Sequence, residues 1–219
     1  MGRQGFRDRV EAGRTLAGRL GHLRGLDALV LGLPRGGVPV AAEVAAALGA
    51  ELDVLVVRKL GVPGHEELAL GAVARGGFRA LNDDVVERLD LSPEVVDVVT
   101  RRAELVVAER ERAYRGTRPA PPLAGRAVVV VDDGLATGAT MRVAVDAVRR
   151  AGPAQVVVAV PVGPRATCRS LAHLADEVVC ALTPERFNAV GTWYEDFSET
   201  TDDEVRALLA ATHRTGGEA

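Results

Sequence analysis

The chain has 219 residues, of which 47% are hydrophobic and 26% charged, and its formal net charge is −3. This length suits a single domain whose core is large enough to fold without disulfides or metals, and the slightly acidic balance argues against nucleic acid as a partner. Apolar runs stay short of the roughly 20 residues that a membrane helix needs, and the charged amino terminus lacks an apolar signal core, so we expect a cytoplasmic protein with no membrane partner.

Short runs rich in valine and leucine alternate with helical patterns along the chain. Several runs are continuously apolar, which is typical of parallel strands covered on both faces. The alternation predicts an α/β fold with a doubly wound, mainly parallel sheet flanked by helices, in which ligands bind outside the carboxyl ends of the strands. The predicted strands are residues 28–33, 52–57, 127–132, 155–160 and 177–182, and the predicted helices are residues 38–48, 139–150, 165–175 and 202–211.

Two stretches differ from this alternation. Residues 68–81 predict a short hairpin with a Gly-rich turn at residues 75–77. Further on, Ser92 is a suitable N-cap and Pro93 a suitable first-turn residue, which predicts a helix that ends near Gly116.

The chain has only two cysteines, Cys168 and Cys180. They form no CxxC pair and have no neighbouring His cluster, so we expect buried or half-buried free thiols and neither a disulfide framework nor a zinc site.

The predicted strand over residues 127–132 leads directly into two acids, a loop of small residues and a helix. Free N–H groups and the dipole of a first helical turn favour an anion in such a place, and Gly138 allows close backbone approach. Asp132 and Asp133 would repel a phosphate placed on them. They fit better beside it, where they would accept hydrogen bonds from sugar hydroxyls or help to hold a cation. A role in helix capping alone would need only one acid, and the loop matches neither a Walker A motif nor GxGxxG.

The run Val-Val-Val-Val-Asp-Asp-Gly-Leu-Ala-Thr-Gly-Ala-Thr-Met at residues 128–141 resembles the phosphoribosyl-pyrophosphate (PRPP) signature of type I phosphoribosyltransferases. The resemblance implies that Asp132 and Asp133, the acid pair, bind the ribose 2- and 3-hydroxyls and contact Mg²⁺ only indirectly, through ribose or water. It also implies one phosphoribosyltransferase-like domain over residues 1–219, with a small hood formed by residues 183–200 and part of the amino terminus. The implied 5-phosphate loop consists of Ala136, Thr137, Gly138, Ala139 and Thr140.

Two other segments carry cations or glycines where strands are predicted to end. Arg35, Gly36 and Gly37 follow the first strand, look like the family's pyrophosphate loop, and include an arginine able to grip an anion with two N–H groups. A simple tight turn is the alternative. Arg58 and Lys59 follow the second strand, and by the resemblance they would act in catalysis on the pyrophosphate leaving group. The alternative for this pair is a solvated strand end.

A mobile lid and a base site are predicted on weaker grounds. Residues 61–67 contain glycine and proline, which favours a mobile segment that would close over the substrate through His65, Glu66 and Glu67; an exposed loop without a role is the alternative. Aromatic residues cluster at 187–197, where Phe187 and Trp193 could stack on a base or form a small satellite core.

The resemblance as a whole implies a homodimeric enzyme that moves the 5-phosphoribosyl group from PRPP and Mg²⁺ to a small-molecule nitrogen acceptor, such as a nucleobase, with release of pyrophosphate. Ala136 stands where enzymes for 6-oxopurines carry an acid, and it cannot transfer a proton, so the acceptor and the general acid or base stay open. One alternative is a non-catalytic module that senses PRPP or a nucleotide. Another, a metal-dependent phosphate-ester hydrolase, is disfavoured because no further acids or histidines surround Asp132.

Overall fold

The computed structural model describes residues 5–74 and 77–215, with side chains for all of these except residues 66 and 213–215. Its centre is a five-stranded sheet in the order β2-β1-β6-β7-β8, and every pair of neighbours is parallel. The predicted α/β class with a mainly parallel sheet is therefore confirmed. The strands are β1 (Ala28–Gly32), β2 (Glu51–Val54), β6 (Ala127–Val131), β7 (Gln155–Val162) and β8 (Glu177–Leu182).

Helices cover both faces of this sheet. Side chains alternate along each strand, so Val30 and Val129 pack in one core with α1, α2 and α7, while Leu31 and Val130 pack in another with α5 and α6. Because both faces are dry, the strands are continuously apolar, as the sequence pattern indicated. The helices are α1 (Arg9–Ala17), α2 (Gly37–Leu48), α5 (Ala139–Arg150), α6 (Arg165–Leu171) and α7 (Asp202–Thr215).

A second, antiparallel sheet follows β2, in the order β3-β4-β5. Its strands are β3 (Val57–Val62), β4 (His65–Ala74) and β5 (Phe78–Leu81), and they are followed by α3 (Asp83–Arg88) and α4 (Pro93–Arg115). Gly71 allows β4 and β5 to approach closely, because a Cβ there would overlap the Ala80 carbonyl oxygen. The predicted hairpin is confirmed for β4 and β5, while part of its predicted turn, Arg75 and Gly76, lies outside the described residues.

The second sheet bears on two predictions. The strand predicted at 52–57 is two strands, because β2 ends at Val54 and β3 begins at Val57 in the other sheet. The segment predicted as a mobile lid, residues 61–67, lies at the connection of β3 and β4, where Pro63 and Gly64 form the turn and the strand register shifts on both sides of Gly61. The mobility of this segment and its closure over a substrate stay predictions.

A buried ionic network fixes α4 against the end of β2. The Arg115 Nε lies 2.8 Å from both carboxylate oxygens of Asp53, its Nη1 lies 2.9 Å from Glu111, and its Nη2 donates to the Val54 carbonyl at 2.8 Å. All three charged side chains are buried, and such charges are tolerated only when they are paired. The network therefore holds the point at which the chain leaves the main sheet.

Three further features differ from the sequence predictions. Cys168 on α6 and Cys180 on β8 form a disulfide, so the prediction of free thiols is wrong; adjacent packing of this helix and strand places their Cα atoms 6.7 Å apart. Helix α6 ends at Leu171 rather than at residue 175, and α7 continues to Thr215 rather than ending at 211. Within the described part of the chain, no helix is both long and apolar enough to cross a membrane.

Candidate active site

The loops that follow the parallel strands meet at one edge of the main sheet, which is where α/β proteins bind ligands. The loop after β1 lies directly against the loop after β6. A Cβ on Gly37 would come within 2.8 Å of the Val131 carbonyl oxygen, and a Cβ on Gly36 would overlap a carboxylate oxygen of Asp133. The structure thus brings the predicted pyrophosphate loop, Arg35 to Gly37, into contact with the acid pair.

The phosphate loop, residues 136–140, is open at its tip and anchored at its base. The Leu135 N–H donates to the Val162 carbonyl at 2.8 Å, and the Thr167 hydroxyl donates to the Ala136 carbonyl at 3.1 Å. Gly138 adopts φ 74°, a left-handed conformation that favours glycine, and α5 begins immediately after it. The Ala139 N–H donates to the Thr137 hydroxyl at 3.4 Å, while the next N–H groups of the first turn of this 12-residue helix have no acceptor within the helix.

The acid pair sits at the base of this loop. Asp132 accepts a hydrogen bond from the Asp133 N–H at 2.9 Å. Burial, followed by the neighbouring Asp133 carboxylate, raises the pKa of Asp132 well above its ordinary value. Burial also raises the pKa of Asp133, although Arg9 opposes that shift. Two carboxyl groups in one desolvated place are costly to the empty protein, which is expected where a ligand later supplies hydrogen-bond donors.

A group of side chains from the two ends of the chain closes around Asp133. This collar consists of Arg9 at the start of α1 together with residues 194–199. The Nε and Nη2 atoms of Arg9 both lie 2.9 Å from Oδ2 of Asp133, and its Nη1 donates to the Ser198 carbonyl at 2.7 Å. The Tyr194 hydroxyl donates to the Asp133 backbone carbonyl at 2.6 Å. Sequence reasoning missed these contacts, because nothing in the local pattern around Arg9 signals a partner 124 residues away.

The collar is packed by aromatic rings. The Arg9 guanidinium lies 4.0 Å from the centre of the Phe197 ring, which is a cation–π contact. The Tyr194 ring contacts both Phe197, at 5.0 Å between centroids, and Phe6, at 5.6 Å. The aromatic cluster noted in the sequence therefore serves in part to hold the collar together.

The predicted cations occupy different places. Arg35 forms an ion pair with Glu199 of the collar. Arg58 and Lys59 lie exposed on β3 and line a cavity of about 480 Å³ together with Val99 and Arg102 of α4. Neither forms an ion pair with the acid pair within the parts of the chain that the structure covers.

The predicted base-binding residues, Phe187 and Trp193, both pack against the core on the α1 side of the sheet, and Phe187 is half-buried there. Trp193 lines a cavity of about 710 Å³ with Phe6, Thr183 and Glu185, and its indole N–H is buried without a partner among the residues described. The turn between the two touches the acid-pair loop, since a Cβ on Gly134 would lie 2.5 Å from Val190.

The residues of the site fit a metal ion that is held mainly by the bound substrate rather than by protein side chains. Across residues 5–74 and 77–215, no group of three or more His, Cys, Asp or Glu could hold a metal ion. One oxygen of Asp133 is already engaged by Arg9. The acid pair can therefore contribute to a Mg²⁺ site through ribose or water, but it does not form a complete cage.

A helix amino terminus, an adjacent acid pair and a second glycine loop, together at the carboxyl edge of a parallel sheet, are typical of α/β proteins that bind phosphorylated ligands. The comparisons with known proteins narrow this class. The chain belongs to the phosphoribosyl transferase domain family, whose model matches residues 10–195.

The relatives agree with this membership. Two Mycobacterium tuberculosis proteins, MT0597 and Rv0571c, each provisionally named a phosphoribosyl transferase, are 52% identical over 214 residues, which is 98% of this chain and 48% of theirs. The chain thus spans about half the length of these relatives. The crystal structure of TT1426 from Thermus thermophilus is 47% identical, covers 94% of this chain and 98% of its own, and superposes with a TM-score of 0.82.

Proposed function

We propose that this chain transfers the 5-phosphoribosyl group from PRPP, bound with Mg²⁺, to a nitrogen atom of a small acceptor, and releases pyrophosphate. The observation that carries the proposal is the contact of the Gly36–Gly37 turn with the acid pair, which begins the loop that leads to α5. One site can then hold a 5-phosphate, a ribose diol and a pyrophosphate in the order in which they occur in PRPP.

The acceptor nitrogen donates its lone pair to C1 of the ribose as the bond from C1 to the pyrophosphate oxygen breaks, and pyrophosphate leaves with that electron pair. Asp132 and Asp133 would orient the ribose by accepting hydrogen bonds from its hydroxyls. Arg35 would stabilise the departing charge with paired N–H donors. When bound, Mg²⁺ neutralises pyrophosphate charge. The nitrogen's proton passes to water or to a group on the acceptor side.

Several finer assignments are part of the same proposal. Arg58 and Lys59 would reach the pyrophosphate from β3, which starts where β2 leaves the sheet edge. The acceptor would lie in the cavity beside Trp193, with Phe187 supporting its wall, under a hood made of residues 183–200 and the amino-terminal segment. A nucleobase acceptor, a homodimer and a cytoplasmic location stay predictions.

The test is calorimetric titration of PRPP with Mg²⁺, followed by pyrophosphate release across a panel of nucleobases. We expect Asp133→Asn to weaken PRPP binding about thirtyfold, because an amide cannot replace a charged carboxylate that pairs with Arg9 and accepts a hydroxyl hydrogen bond, while circular dichroism shows an unchanged fold. Unchanged affinity would refute the ribose assignment. Binding without release on any base would instead favour the sensing module.

A further inference from the structure

Arg9 holds a more constrained position than an ordinary surface arginine. All three guanidinium nitrogens are engaged, two by one oxygen of Asp133 and one by the Ser198 carbonyl. The Phe197 ring lies against the guanidinium. Only 12% of its side-chain surface is exposed, with 15% for Asp133, so this pair is much better shielded from water than a surface ion pair.

The place of Arg9 in its own helix gives no reason for a cation. Arg9 is the first residue of α1, where the helix dipole disfavours positive charge. The cap is supplied by the preceding residue, since Asp8 accepts a hydrogen bond from the Glu11 N–H at 2.8 Å. The side chain therefore serves the contact with Asp133 rather than the helix.

The contact leaves half of the carboxylate available. Both Arg9 nitrogens bind Oδ2 of Asp133, and none of the described side chains donates a hydrogen bond to Oδ1. Tyr194 fixes the backbone carbonyl of the same residue. Arg9 thus anchors the side chain of Asp133 at Oδ2 and Tyr194 anchors its backbone, which leaves Oδ1 to accept a hydrogen bond from a ligand hydroxyl.

We propose that Arg9 is a positioning residue for donor binding: it fixes the Asp133 carboxylate so that Oδ1 receives one hydroxyl of the ribose diol. The inference rests on the proposed function of the acid pair. It assigns the specificity for a diol-bearing phosphate to residues at the two ends of the chain as well as to the loop after β6. A planar guanidinium can set this orientation, whereas a lysine ammonium acts as a point charge.

The test compares two ligands on four proteins by calorimetry. Ribose 5-phosphate carries the diol, and inorganic pyrophosphate does not. We expect Arg9→Gln to weaken ribose 5-phosphate binding about tenfold and not to weaken pyrophosphate binding. Arg9→Lys should lose about threefold, since it keeps the charge but not the geometry. The matched control is Arg14→Gln, because Arg14 lies on the same helix and pairs with Glu43 on α2 at 2.8 Å; it should bind both ligands as the wild type does.

The outcomes separate the two proposals. A wild-type protein that binds neither ribose 5-phosphate nor PRPP refutes the proposed function. A wild type that binds while Arg9→Gln binds ribose 5-phosphate equally well refutes only the positioning role. An equal loss for both ligands also refutes it, because it indicates general damage to the site. If thermal melting shows that Arg9→Gln is unfolded, Arg9→Lys decides, and wild-type affinity in that variant overturns the proposal.

Discussion

The phosphate loop and the collar, which we propose bind the two ends of the same sugar, are built by different means. The phosphate loop presents backbone N–H groups of contiguous residues between β6 and α5, and its base is fixed by backbone bonds such as that from Leu135 to Val162. The collar presents no backbone donor to Asp133. It acts through the Arg9 and Tyr194 side chains, which come from opposite ends of the chain.

This difference determines which parts of the site tolerate substitution and which are sensitive to it. A cradle of backbone groups keeps its shape when exposed side chains change, provided that the small residues stay small. A carboxylate held by distant side chains loses its orientation when any one of them is altered. The joint between the two regions is the turn after β1. Gly36 in this turn touches Asp133, and a Cβ added to Gly36 would lie 3.2 Å from Arg9 Nε.

The largest effect is expected at this joint. Gly36 has φ −59°, so alanine is allowed by the backbone, but its methyl group would displace the Asp133 carboxylate from Arg9. We expect Gly36→Ala to weaken PRPP binding about hundredfold, in line with the 1–3 kcal/mol typical of overpacking. Calorimetry measures the affinity and urea unfolding the stability.

Gly18→Ala is the control for that substitution. Gly18 also has a helical φ, −60°, and the nearest atom to its missing Cβ is 3.5 Å away. It should bind as the wild type does. If Gly36→Ala also keeps wild-type affinity, the loop after β1 does not constrain the acid pair. The turn after β1 would then not connect the phosphate loop and the collar as we infer.

The same contrast explains how much of the molecule the sequence predicts. Helix α5 and strand β8 have the predicted bounds. Both carry local signals in the sequence: glycines flank the helix, and the strand is an apolar run. Helix α1 was missed as an element. Its Gly13 resembles a helix breaker, yet it is required because a Cβ there would lie 2.8 Å from the Val40 carbonyl oxygen of α2. That need is visible only once the two helices are packed.

The candidate site divides in the same way. The acid pair and the phosphate loop could be predicted because their residues are contiguous in the sequence. Their closeness to Gly36 could be predicted because parallel strands end at one edge of the sheet. The Arg115–Asp53 pair joins residues 62 positions apart, and the bond from Arg9 to Ser198 joins residues 189 positions apart. No local pattern specifies such pairings. The Cys168–Cys180 bond likewise follows from the packing of α6 on β8 rather than from cysteine spacing.

A smaller effect should appear in the stability of the empty protein. Because burial raises the pKa of Asp132 in the fold above its unfolded value, ionising this group costs folding free energy at neutral pH. Asp132→Asn keeps an acceptor for the Asp133 N–H and removes that charge. We expect Tm to rise by roughly 2–4 °C, while PRPP binding weakens about thirtyfold, as for Asp133→Asn.

The pH dependence checks the cause of that rise. Above the raised pKa the wild type bears the full cost of a buried charge. That cost begins to fall as the pH drops through the raised pKa, where the carboxyl becomes protonated in the fold, and it is gone below the ordinary pKa of Asp, where the unfolded chain is protonated as well. The difference in Tm between Asp132→Asn and the wild type should therefore shrink on acidification. A difference that stays constant with pH would mean that packing, not charge, separates the two proteins.

The smallest effect concerns the ion pair that the collar makes with Arg35. Glu199 holds the arginine that we assign to pyrophosphate, so an incoming anion must replace a carboxylate. The side chains are 73% and 40% exposed, and exposed pairs contribute about 0–1 kcal/mol. Glu199→Gln should therefore tighten pyrophosphate binding by only about threefold, and the gain should shrink at high salt because such pairs are screened. Asp203→Asn removes the same charge from an exposed pair with Arg206 and should leave the affinity unchanged. Weaker pyrophosphate binding in Glu199→Gln would show that the collar supports Arg35 rather than competing for it, and both regions would then act as parts of one preformed site.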